Sequence, residues 1–170
     1  MRRILTVMVL VACSAGQGGL LACGDKFFLV GRGDPFSRAY ASLHPGSIVI
    51  YTGGPTATSK ALGDGRLQKY FTRAGHRVTV ARDSTALAKA LDAGSVDLVL
   101  AGTTEALAML PRIDSVSSKP TVMSVDDGNP AMGTTRHLFK GTLKTSDKIN
   151  GFLAKIEDAM KTRTSSAGRS

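Results

Sequence analysis

Tryptophan is missing from this 170-residue chain, and cysteine occurs only twice, at Cys13 and Cys23. Two cysteines exclude a disulfide-dense scaffold and a four-cysteine zinc site. Carboxylates are scarce as well: 13 Asp and Glu stand against 22 Lys and Arg, a formal net charge of +9. A strongly acidic metal cluster is therefore not expected. The basic residues are scattered and form no dense block, so they read as a solvated surface and not as a nucleic-acid patch. His44, His76 and His137 have no metal-ligand spacing between them, and no G-x-S-x-G elbow marks a nucleophile. What remains is a 42% hydrophobic composition, too apolar for wholesale disorder and sufficient for one ordinary domain with attachments.

Met1-Arg2-Arg3 is a cationic start, and Ile4 to Ala12 is apolar apart from Thr6. That run is far below the roughly 20 residues that span a bilayer. A basic start, a short apolar run and small residues after it read as a secretory signal over residues 1–22. Two readings of its end stay open. Leu20-Leu21-Ala22-Cys23 resembles the bacterial lipobox, in which the cysteine is lipidated; Leu10-Val11-Ala12-Cys13 fits the same pattern with a very short signal. The other reading is ordinary cleavage after Ala22. Leu20 stands where that cleavage wants a small residue, and Gln17-Gly18-Gly19 interrupts the apolar run that a lipobox wants. Either way the chain is expected to be exported to the periplasm, free or held on the membrane surface by a lipid on Cys23. The mature chain carries 20 basic and 13 acidic residues, a net +7. Export argues against DNA or RNA as partner. With Cys23 the one cysteine left, no intrachain disulfide can form.

Beyond an N-terminal arm (23–46), which contains Phe27-Phe28-Leu29-Val30, strands and helices alternate. Ser47–Thr52, Arg77–Ala81, Val96–Ala101 and Pro120–Val125 are strand-like runs between breakers, and Leu138–Leu143 is a shorter fifth. Between them lie helical patterns: Ser59–Ala74, weakened early by Gly63 and Gly65; a helix capped by Asp83 or Ser84 and running to Ala93; and one ending near Pro111. The last helix is capped by Ser146, with Ile149, Phe152, Leu153 and Ile156 on one face. Thr164–Ser170 has no apolar face, and a loose tail is expected over residues 163–170. This alternation predicts an α/β fold: a five-stranded parallel sheet, order 2-1-3-4-5, helices on both faces, in the flavodoxin-like arrangement over residues 47–162.

Open parallel sheets bind ligands outside the carboxyl ends of their strands. That edge holds Thr52-Gly53-Gly54, Ala101-Gly102-Thr103-Thr104, Val125-Asp126-Asp127 and Lys144. Together with Ala74-Gly75-His76-Arg77-Val78, Val96–Leu100 and Leu143-Lys144-Thr145-Ser146, the pattern over residues 46–162 resembles a response-regulator receiver domain of bacteria. A working receiver implies an acidic pair after strand one for Mg²⁺, an Asp after strand three as phosphoryl acceptor, a Ser/Thr after strand four and a Lys after strand five. A hard divalent cation needs carboxylate oxygens, and the developing phosphoryl charge needs donors. Here Tyr51-Thr52-Gly53-Gly54 replaces the acidic pair and Gly102 falls on the acceptor position. Ser124 or Val125 falls near the Ser/Thr, Lys144 matches the Lys, and Thr145 stands where a Pro usually follows it. The phrase Cys23–Gly33 is similar to the opening of exported bacterial proteins that carry this domain.

The expectation is a receiver-like domain without phosphoryl transfer: a non-enzymatic interaction or signalling module with an unidentified protein partner and no cofactor. The alternative is a binder of, or enzyme on, a small anionic ligand, using Gly53, Gly54, Thr103, Asp126 and Lys144. Weaker signals have blander explanations. Gly53–Lys60 lacks the second Gly and the Ser/Thr of a P-loop and reads as a strand-to-helix turn. Asp126-Asp127 reads as a solvated pair, and Arg32-Gly33-Asp34 as a chance match to an adhesion tripeptide.

Overall fold

Five short apolar runs make one sheet. In the computed structural model, which describes residues 41–126, 128, 135 and 137–167, they are β1 (Ser47–Tyr51), β2 (Arg77–Ala81), β3 (Leu98–Gly102), β4 (Thr121–Asp126) and β5 (Gly141–Lys144). The order is β2-β1-β3-β4-β5 and every neighbouring pair is parallel. The helices are α1 (Ala57–Leu62), α2 (Arg66–Arg73), α3 (Ser84–Asp92), α4 (Thr103–Ser115) and α5 (Ile149–Ala167). This is the expected flavodoxin-like α/β arrangement. The signal segment, Cys23 and most of the arm lie outside the described residues, as does Asp127.

Alternation along the strands builds two cores. Ile48, Ile50, Leu98, Leu100, Met123 and Leu143 face one side, under Leu62 of α1, Phe71 of α2 and Phe152 of α5. Val49, Val99, Ala101 and Val122 face the other, under Leu87 and Leu91 of α3 and Met109 and Ile113 of α4. Covering both faces explains why β3 and β4 are buried at every position and carry no polar alternation to read. Edge strand β2 does alternate, with Arg77 and Thr79 exposed.

Several boundaries differ from the expected ones. The helix expected over Ser59–Ala74 is two helices. The Gly63 N–H closes α1 onto Ser59 and Lys60 carbonyls. Gly65 then turns at φ 79°, a left-handed conformation that side chains resist, and Asp64 accepts from the Arg66 N–H at 2.8 Å to start α2. Helix α4 passes through Pro111 to Ser115. Proline removes one backbone bond there, but Ile113, one half-turn on, is buried against the sheet and holds the helix together. Helix α5 begins at Ile149 rather than at a Ser146 cap. Asp147 shapes that turn instead, accepting from the Lys144 N–H at 3.0 Å and from Lys155 Nζ at 3.1 Å. The helix also continues to Ala167, into the stretch expected to be loose. Thr164 and Ser165 hydroxyls donate back to the Met160 and Lys161 carbonyls, a local bonding these residues offer within helices. Finally, β5 starts at Gly141 and leaves Leu138 half exposed. No described helix is long and apolar enough to cross a membrane.

Candidate functional site

The carboxyl edge of the sheet changes direction between β1 and β3, which are direct neighbours. The chain leaves β1 through Thr52-Gly53-Gly54-Pro55-Thr56, whose last residue caps α1 by accepting from the Ser59 N–H at 3.2 Å. It leaves β3 with no loop at all: Gly102 ends the strand and is also the cap of α4. Helix α4 therefore starts inside the crevice, and Glu105 in its first turn reaches across it.

Glu105 is the centre of this site. It is only 8% exposed. Its Oε1 accepts from Thr56 Oγ1 at 2.8 Å and from Ser59 Oγ at 2.9 Å, so α1 and α4 are joined through one carboxylate oxygen. Its Oε2 is buried and has no hydrogen-bond partner among the described residues. The positive end of the α4 dipole favours a negative charge at this position. Leaving a buried acceptor unpaired nevertheless costs about 1–3 kcal/mol, and more for a charged one. Two glycines make the room. A Cβ on Gly54 would meet Cδ and Cγ of Glu105 at 2.5 and 2.6 Å, and a Cβ on Gly102 would overlap Oε2.

The residues singled out from sequence are placed unevenly. Gly54 lies against Glu105, as just described. Gly53 faces the other way, where an added Cβ would be 2.7 Å from the Arg82 carbonyl beyond β2. The Thr103 hydroxyl donates to the Val125 carbonyl at 3.2 Å, tying the start of α4 to the end of β4. Asp126 is buried, accepts from the Gly128 N–H at 2.8 Å and pairs in register with Lys144. Lys144 itself is exposed at the end of β5. Ser124 is fully buried and donates to Thr142 Oγ1 at 3.2 Å.

Glu105 was missed because one acid near the start of an amphipathic helix reads as surface charge. A usable signal exists: it is the only acid between Asp97 and Asp114, and it sits three residues past the end of β3. Chemically, the crevice holds one half-satisfied carboxylate. Among the described residues it offers no cluster of carboxylates for a hard divalent cation, and no cation pairs with Glu105. No family model matches the chain, and no curated protein or solved structure matches it.

Proposed function

We propose that this chain is an exported, receiver-like module that acts by binding and not by phosphoryl transfer. The observation that carries this reading is the Glu105 carboxylate lying over Gly102. An aspartate at position 102 would have to occupy the volume that Oε2 fills. A phosphoryl group entering the crevice would meet a buried negative charge in place of a Mg²⁺ cradle. The same charge argues against the anionic-ligand alternative, since a carboxylate and an anion repel in a buried site. Export is supported by Met1-Arg2-Arg3 and the apolar run after it, and it takes the domain away from the kinases that charge cytoplasmic receivers.

Intact-mass measurement tests both halves. Protein incubated with acetyl phosphate and Mg²⁺ should keep its mass; a stable phospho-aspartate would overturn the reading. Native protein extracted from cell envelopes should begin at Cys23, with or without acyl chains on that residue. A native chain still beginning at Met1 would remove the case for export.

A further inference from the structure

The sheet ends in two outer strands, β2 and β5, and their free sides differ. On β5 side chains take the outward backbone groups: Lys155 Nζ donates to the Thr142 carbonyl at 3.1 Å, and the Lys144 N–H donates to Asp147 Oδ2 at 3.0 Å. Such covering blunts an edge that would otherwise pair with another chain. On β2 the Arg77 N–H donates to the Gly46 carbonyl, and the Ala81 carbonyl accepts from the Thr52 N–H. The backbone groups of residues 77, 79 and 81 therefore turn toward β1, and those of Val78 and Val80 turn outward. Among the described residues no hydrogen bond reaches these two N–H and two C=O groups. Positive charge gathers beside them. Residues 57–82 hold six Lys and Arg and a single acid, Asp64, which is engaged with Arg66 at 2.8 Å. Helix α2 packs beside β2. Its Lys69 and Arg73 are exposed, as are Arg77 at the start of β2 and Arg82 just past its end. None of these four makes an ion pair among the described residues.

We propose, resting on the binding reading above, that β2 takes up an extended acidic segment of a partner protein as a sixth strand. Backbone pairing with Val78 and Val80 gives such a segment its affinity, and its alternating side chains give the selectivity. Arg77 and Thr79 lie on one face of β2, Val78 and Val80 on the other. A strand that alternates carboxylates with β-branched residues meets a cation on the first face and apolar surface on the second. Opposite charges on neighbouring strands stabilise their pairing, and like charges oppose it. A second copy of this chain is the wrong occupant for that reason, since edge-to-edge pairing of two β2 strands brings two sets of these cations together.

The probe is a short end-blocked peptide alternating glutamate and valine, titrated into the purified full chain and followed by amide chemical shifts and hydrogen exchange. Saturable shifts are expected along β2, with slower exchange at the Val78 and Val80 amides. The same peptide with lysine in place of glutamate should give neither at the same concentrations. Methylating every backbone nitrogen of the acidic peptide should weaken it at least about tenfold, as the loss of its backbone hydrogen bonds does. Arg77→Glu, at an exposed position, should weaken the acidic peptide by about fivefold. Val80→Pro removes an N–H that β1 does not use, which an edge strand tolerates, and should also weaken binding. No saturable shift with the acidic peptide, equal binding of the acidic and basic peptides, undiminished binding after methylation, or unchanged affinity in both variants would overturn the proposal. Phosphorylation by acetyl phosphate is read separately, so either conclusion can fail without the other.

Discussion

The chain has two glutamates, Glu105 and Glu157, and the fold uses both as joints between distant segments. Glu105 joins α4 to α1 through Thr56 and Ser59. Glu157 of α5 takes Ser42 Oγ at 2.5 Å and His44 Nδ1 at 2.6 Å, fastening the segment before β1. The length of a glutamate explains the first of these. An aspartate at 105 would be too short to cross the crevice, and anything beyond hydrogen at Gly54 would block it. Gly54→Ala should therefore cost roughly 1–3 kcal/mol, as overpacking does. In an Glu105→Ala background most of that cost should disappear. Denaturant melts of the two single variants and the double variant give the coupling. Additive effects would mean that Gly54 is required by its own backbone and not by Glu105. Neither joint was legible in the sequence, because each depends on partners 46 to 115 residues away.

Elements were far more legible than contacts. The strands announce themselves because burial on two faces demands continuous apolar runs bounded by Gly, Pro or Asp, as in Ser47–Tyr51 and Leu98–Gly102. The sheet order then follows from the right-handed crossover rule. Helix boundaries were less readable where two local signals compete. At Gly63-Asp64-Gly65 the breakers win although Leu62 and Leu67 on either side are buried, because Gly65 turns to a left-handed φ of 79° that no helix contains. At Pro111 the breaker loses, because Met109 and Ile113 on either side of it are both buried in the core under α4. Buried residues lie beyond both breakers; what differs is the backbone, since Gly65 leaves the helical region while proline's fixed φ stays close to it. Pro111 is exposed, so it contributes little packing of its own. Pro111→Ala should return a backbone N–H to the Leu107 carbonyl and raise stability by on the order of 1–3 kcal/mol. A rise in the urea midpoint with an unchanged slope is the expected result; a lower midpoint would show that the proline ring itself holds α4 in place.

Across the whole molecule, polar joints divide between the two edges of the sheet. The carboxyl edge holds Glu105 and the crevice. The amino edge holds a fastening made of Ser42, His44 and Glu157, with His76 beside it and the Gly46 N–H donating to His76 Nδ1 at 3.3 Å. That last bond requires an unprotonated Nδ1. Burial pushes the His76 ring below its ordinary value of 6.5, and the nearby charge of Glu157 only partly opposes this. The unfolded chain therefore takes up the proton first. The stability His76 contributes is present above about pH 6.5 and is lost as pH falls through the lower folded value. Glu157 acts in the same direction in more acid solution. Burial pushes its carboxyl up, but the hydrogen bonds from Ser42 and His44 and the charge on His44 outweigh that and hold it below 4.5. Its contribution is present above that value and is lost as pH falls further. Thermal melts from neutral pH down to about pH 5 should thus show stability declining through the histidine range, before any carboxylate titrates. His76→Asn places an amide oxygen near the position of Nδ1 and removes the titration, so its melts should stay level over that interval. If wild type and His76→Asn decline in parallel, the acid sensitivity belongs to another group, and the amino edge is not where protons act on this fold.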